Sequence, residues 1–162
     1  MATQDSRVPM TYQGHQRLLE EIKRLKSVER PKLVQEIEEA RDHGDISENA
    51  EFHAAKDRQA LLDVQIREIE DRLARAQVIE VSKLSGDKVV FGATVTLADG
   101  DTGDKMIYQI VGDHEAEPKN GKISISSPVA RALIGKCEGD EVQVQTPTGI
   151  RNLEILRLDF ID

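Results

Sequence analysis

Tryptophan is absent and aromatic residues make up only 3% of this 162-residue chain, so the flat side chains on which single-stranded nucleic acid stacks are nearly missing. Positive charge is not in excess either. Twenty-two Lys and Arg stand against 30 Asp and Glu, a formal net charge of -8, which disfavours phosphate binding by bulk charge. Cys137 is the single cysteine, so no internal disulfide can form. Together with the lack of an apolar leader in residues 1–10, it leads us to expect a reducing, cytoplasmic setting. No apolar run approaches the roughly 20 residues that a membrane-spanning helix needs. The phosphate-cradling G-x-x-x-x-G-K-[ST] run, the G-x-S-x-G nucleophile turn and the H-E-x-x-H zinc pattern are also missing. What remains is a small acidic protein of one or two domains, 38% hydrophobic.

The character of the chain changes near residue 80. Before it run long charged segments with few glycines; after it come short β-branched runs broken by Gly, Asp and Pro. We therefore expect two domains, 1–80 and 81–162. In the first, Phe52, Ala55, Gln59, Leu62, Ile66, Ile69, Leu73 and Ala76 alternate three- and four-residue spacings, the seam of a coiled coil. Leu18, Ile22 and Leu25 form one stripe on the preceding segment. Leu33, Ile37 and Ala40 form another, one residue out of heptad phase with the first, and Pro31 lies between them. A proline there bends a helix or opens a new one. Asp42-His43-Gly44-Asp45 supplies a helix stop, with Gly44 suited to the left-handed position after a helix end. The expected result is an antiparallel helical hairpin with arms on the order of 45 Å long.

The second half offers strand-like runs at Val89 to Leu97, Met106 to Val111, Lys122 to Ser126, Glu141 to Gln145 and Leu153 to Phe160. Pro128 to Ile134 is a short helix candidate stopped by Gly135. This predicts a small twisted antiparallel β-sheet carrying one short helix, and an α+β chain as a whole.

Between Glu36 and Glu51 seven acidic residues face one basic residue, Arg41, so the negative charge concentrates where the hairpin turns. Asp45 and Glu48 are three apart, close enough for their carboxylates to converge on one side of a helical turn. Two roles fit that spacing. Asp as N-cap and Glu at the third helical position would form a variant capping box. Alternatively, two hard oxygen ligands at an exposed tip would help hold Mg²⁺, which takes one or two carboxylates and fills its shell from water and phosphate. Such a site is incomplete in one chain and needs a second macromolecule.

Other patterns point away from chemistry. His15, His43, His53 and His114 have no ligand spacing and read as surface or tip residues. Asp99-Gly100-Asp101-Thr102-Gly103-Asp104 lacks the alternating ligands and terminal Glu of a calcium loop and reads as a hairpin turn. Cys137 has no base partner in the pattern, and Arg24, Lys26, Arg30 and Lys32 read as the solvated flank of the coiled coil.

The run from Glu39 to His53, containing Asp42-His43-Gly44-Asp45-Ile46-Ser47-Glu48-Asn49-Ala50-Glu51-Phe52, closely resembles the tip of the bacterial Gre-family transcript-cleavage factors. The likeness extends to Pro9-Met10-Thr11, Arg30-Pro31, Phe91-Gly92-Ala93-Thr94-Val95 and the segment from Ile123 to Lys136. It spans nearly the whole chain. The resemblance implies an N-terminal hairpin that enters the secondary channel of RNA polymerase and an FKBP-like C-terminal domain that docks at the channel's rim. It also implies that Asp45 and Glu48 help hold a second Mg²⁺ and position the attacking water, so that a backtracked polymerase cleaves its own RNA near the 3′ end. On this reading the chain binds no cofactor alone and shares Mg²⁺ with the polymerase. Nucleic acid is met only within the elongation complex, no membrane is involved, and the chain acts as a monomer and not as an enzyme in itself. Ser126, Ser127 and Pro128 are the implied docking loop, although a plain strand-to-helix connection accounts equally for their composition. The family commonly has Tyr where this chain has Phe52, which leaves only ring packing at that position.

Three rivals define the alternatives. A hairpin that occupies the channel without cleavage would have altered tip acids, and Asp45 and Glu48 argue against it. A peptidyl-prolyl isomerase would need an aromatic-lined pocket, whereas residues 81–162 hold only Phe91, Tyr108 and Phe160. A free-standing nuclease would need a fuller metal-ligand set.

Overall fold

Apolar residues at alternating three- and four-residue spacing can be buried only along one stripe of a helix, and the structure buries that stripe. The computed structural model describes residues 7–45 and 48–161. The chain forms two compact units, one of residues 15–76, the other of the described residues up to Gly14 together with those from Gln77 onward.

In the helical unit, α1 (Tyr12–Arg24) passes through a π turn (Leu25–Glu29) into α2 (Arg30–Asp42), and α3 (Ala50–Arg75) returns as one unbroken helix of 26 residues. Leu25, Leu33, Leu62, Ile66 and Ile69 form its core, flanked by Leu18, Ile22, Ile37 and Leu73. Leu25 and Ile66 are each 2% exposed, and full burial of such a side chain contributes about 1.5–3 kcal/mol.

The π turn resolves the phase mismatch of the first arm. Leu25 to Leu33 is one residue longer than a heptad, and the N–H of Arg30 bonds to the carbonyl of Leu25, five residues back instead of four. The wider turn absorbs the extra residue, so both stripes face α3. The backbone stays right-handed helical at Arg24, Glu29 and Arg30, and Pro31 sits in the first turn of α2, where its missing N–H is least costly. The interruption expected at Pro31 is thus a widened turn just upstream of it. Exposed ion pairs join the arms at Lys26–Glu70 (2.6 Å), Arg30–Asp63 (3.4 Å) and Glu36–Arg58 (3.1 Å). Each such pair adds little by itself.

The second unit begins with β1 (Val8–Thr11), paired with β2 (Ala76–Ile79) in a two-stranded sheet for which the sequence pattern gives no signal. Its main sheet has five strands in the order β5-β4-β3-β7-β6: β3 (Thr94–Asp99), β4 (Lys105–Val111), β5 (Lys122–Ser124), β6 (Glu141–Thr146) and β7 (Gly149–Asp159). The antiparallel sheet with one short helix is as expected, with a single parallel ladder between β4 and β5 at one edge. The first strand starts at Thr94 rather than Val89. Gly92, at φ +88°, turns the chain there, and Ala93 N–H closes the turn onto the carbonyl of Val90 at 3.1 Å.

Helix α4 (Pro128–Leu133) buries Ala130 and Leu133 completely in a core with Val95, Leu97, Ile110 and Ile155. Gly135, at φ +86°, ends it as predicted. The Asp-Gly-rich run between β3 and β4 is indeed a hairpin turn. Asp99 Oδ1 accepts from the N–H of Asp101 at 2.8 Å and of Thr102 at 3.2 Å, and these bonds, aided by Arg151, hold its carboxyl below the usual carboxylate range.

A polar knot fixes the start of this unit. Thr11, only 6% exposed, accepts from the Gly14 N–H at 3.1 Å and donates its own hydroxyl to Glu115. The Glu115 carboxylate also accepts from the N–H of Thr11 at 3.1 Å and of Gly112 at 2.9 Å. A Cβ on Gly112 would lie 2.9 Å from the carbonyl oxygen of Pro9, so the approach demands glycine. No helix among the described residues is long and apolar enough to cross a membrane.

Candidate functional site at the acidic tip

Small side chains let the two arms converge near the turn. Ala40 on α2 is 5% exposed and Ala55 on α3 is 1% exposed. Beyond them α2 ends at Asp42, with its last turn closed by the His43 N–H on the Ala40 carbonyl at 3.2 Å. His43 is right-handed (φ -84°, ψ -4°) and Gly44 has no left-handed φ, so this helix stop does not use the glycine conformation anticipated from the sequence.

Helix α3 begins at Ala50, not at Asp45. Its N-cap is Asn49, in extended conformation, with Oδ1 accepting from the Phe52 N–H at 3.0 Å. The capping-box reading of Asp45 and Glu48 therefore fails for this helix, because another residue fills the role four positions after Asp45. Both acids lie in the connection before the cap. Asp45 and Glu48 are exposed, and the N–H of Glu48 bonds to the backbone carbonyl of Asp45 at 3.3 Å in a short turn. Ile46 and Ser47 of the same motif lie outside the described residues.

The surroundings remain acidic. His43 Nδ1 lies 3.3 Å from a carboxylate oxygen of Glu51, both side chains well exposed, and Glu36 and Glu39 line the groove behind them. Among the described residues no three His, Cys, Asp or Glu side chains converge as a metal set. What the tip offers is two hard oxygen donors on an exposed turn. That fits a Mg²⁺ ion completed by ligands from another molecule, since magnesium needs only one or two protein carboxylates. Asn49 was the tip residue that spacing concealed; its only signal is that Asn ranks among the best N-caps.

The second candidate region, Ser126, Ser127 and Pro128, joins β5 to α4. Ser127 caps α4 by accepting from the Ala130 N–H at 3.2 Å, and Pro128 takes the first helical turn. Ser126 donates to Asp113 Oδ1 at 2.7 Å, and Ser124 donates to the same oxygen. These hydroxyls, Ser124 first and Ser126 next, hold the Asp113 carboxyl below the usual range. Ser126 and Pro128 face solvent. Asp113, from the loop after β4, is a member of this cluster that no local spacing reveals.

The remaining candidates are accounted for structurally. Arg24, Lys26 and Arg30 are engaged in ion pairs with Glu21 and Glu29, Glu70, and Asp63 respectively. Cys137 is half-buried, with its N–H bonded to Asp140 at 2.8 Å.

Comparison with known proteins matches residues 8–78 to "Transcription elongation factor, N-terminal" and residues 84–160 to "Transcription elongation factor, GreA/GreB, C-term". Transcription elongation factor GreA of Phenylobacterium zucineum is 58% identical over 155 residues, covering 96% of this chain and 99% of that protein. The protein of the same description from Caulobacter vibrioides is 59% identical over 155 residues, with the same coverage. Among solved structures, GreA factor homolog 1 of Thermus thermophilus is 28% identical, covers 94% of this chain and 99% of its own, and gives a TM-score of 0.43.

Proposed function

We propose that this chain, which belongs to the GreA/GreB family of transcription elongation factors, carries its acidic tip through the secondary channel of a bacterial RNA polymerase and stimulates the polymerase's own cleavage of a backtracked transcript. A role in transcription elongation comes with the family; the route and the chemistry are our reading. The observation that carries it is that Asp45 and Glu48 both stand exposed on the connection before α3, whose cap is Asn49. Two hard oxygen donors are thereby presented together at the tip.

Asp45 and Glu48 would hold Mg²⁺ jointly with ligands of the polymerase. When bound, that ion supplies charge stabilisation at the attacking and leaving oxygens of phosphoryl transfer. Their further task is to accept a hydrogen bond from the attacking water and orient it toward the RNA near its 3′ end. Because the pair is a partial ligand set, the cleaving enzyme is the polymerase and this chain is its effector. The loop at Ser126 and Pro128 would dock at the channel rim. The seam of Leu33, Leu62, Ile66 and Ile69 is filled within one hairpin, which supports action as a monomer, and the single cysteine accords with a reducing, cytoplasmic setting.

The test is transcript cleavage in a stalled, backtracked bacterial elongation complex with Mg²⁺, comparing no factor, the wild-type chain and the Asp45→Asn, Glu48→Gln double variant. Wild type should shorten the RNA. The double variant should bind polymerase, keep the wild-type far-UV spectrum and melting temperature, and leave the RNA intact. Binding by both proteins with cleavage by neither would make this a channel-occupying regulator instead.

A further inference from the structure

We propose that Asn49 is the positioning residue of the acidic tip, a clamp that ties the end of α2 to the start of α3 and so fixes the connection bearing Asp45 and Glu48. The inference rests on the cleavage reading above. Its basis is a pair of hydrogen bonds from one amide. Oδ1 accepts from the Phe52 N–H at 3.0 Å, in the first turn of α3, while Nδ2 donates to the carbonyl oxygen of Ala40, nine residues earlier, in the last turn of α2. The Phe52 N–H is of the kind that a helix start leaves unsatisfied, and the Ala40 carbonyl, which already accepts from the His43 N–H, has a second lone pair for the amide.

The chemistry selects an amide. A carboxylate at position 49 would keep the acceptor for Phe52 but present a second acceptor to the Ala40 carbonyl. A hydroxyl would cap α3 yet fall short of α2. Asparagine alone joins a donor and an acceptor at this length. The bridged segment, 41–48, carries Asp42, Asp45 and Glu48 against Arg41, and its acids repel one another. Clamping both of its ends limits the conformations open to the two tip acids before they meet a partner. Burial of Ala40 and Ala55 close behind the bridge keeps the two helix ends within reach of one short side chain.

Full-length Asn49→Asp and Asn49→Ser test this together. Both retain an N-cap acceptor and both remove the donor to Ala40, but only the first adds charge. Each should keep wild-type helicity and the wild-type factor concentration for half-maximal cleavage, while lowering the maximal cleavage rate roughly ten- to hundredfold, the scale expected for misplaced catalytic groups. In the free protein, the Asn49 side-chain N–H₂ resonances should exchange with water more slowly than those of exposed Asn120. Wild-type rates in both variants, with an active wild type, would overturn the clamp and leave the cleavage function standing. Impairment of the Asp variant alone would assign the effect to charge and overturn it as well. If wild type itself does not cleave, the cleavage reading fails, and exchange of the Asn49 amide as fast as that of Asn120 would separately overturn the clamp.

Discussion

The carboxylate of Glu115 accepts from both the backbone N–H and the hydroxyl of Thr11, 104 positions earlier in the chain. Thr11 is in turn the side chain that receives the Gly14 N–H at the opening of α1. One acid therefore satisfies a strand end and, through the threonine, a helix start.

Removing that acid should cost more than a surface change. Glu115→Gln keeps the volume but places an amide N–H₂ among the three N–H and O–H donors on Thr11 and Gly112, leaving at least one partly buried group unmatched. The expected loss is about 1–3 kcal/mol, read as a lower urea midpoint with an unchanged slope. Thr11→Val, which removes the hydroxyl at nearly constant shape, should lower it in the same direction. A neutral result for both would mean that solvent replaces these bonds at no cost.

The loop between β5 and α4 should respond to acid. Asp113 is held below the usual carboxylate range by the hydroxyls of Ser124 and Ser126, so its folded pKa lies below its unfolded value. Its contribution to stability is thus present above the unfolded pKa, near 4, and is lost as pH falls through the folded one. Ser124→Ala should raise the Asp113 pKa toward the unfolded value and flatten the acid limb of the stability curve. Carboxyl-carbon NMR titration of Asp113 in both proteins, beside urea unfolding from pH 6 to 2, checks both halves.

The π turn predicts a compensating pair of changes. Deleting Val28, which is 54% exposed, shortens Leu25 to Leu33 to one heptad and allows α1 to run into α2 as a continuous α-helix. Pro31 would then sit in a helix interior, at a cost of about 3 kcal/mol. The deletion alone should lower the melting temperature, and the deletion combined with Pro31→Ala should restore it to wild type or above. A neutral deletion would show that the proline is not the reason for the wide turn.

Much of this could be read from the chain beforehand, and the failures have physical causes. The α3 seam was legible because Leu62, Ile66 and Ile69 obey a long unbroken period, and β6 because Val142 and Val144 alternate with polar neighbours. The phase slip between Leu25 and Leu33 was visible, but periodicity alone cannot tell a kink from a widened turn. Strands β1 and β2 escaped because four residues are too few to show alternation, and Pro9 argues against a strand. At the tip, Asp45 and Asn49 are both good caps four residues apart, and only the bond from the Phe52 N–H decides between them. The meeting of Asp113 with Ser124 and Ser126 is created by the parallel β4–β5 ladder, which local spacing does not encode.

The sheet unit is discontinuous in sequence, interrupted by residues 15–76, and this orders events on the ribosome. Strand β1 leaves the exit tunnel ahead of the helical hairpin, yet its hydrogen-bonding partner β2 follows only after the whole hairpin has emerged, and Glu115 later still. The hairpin has every residue of its core in hand as soon as Leu73 is released. A segment made before the hairpin is thus locked only after it, and the helical unit can reach its native contacts while the unit that encloses it in sequence is still being synthesised.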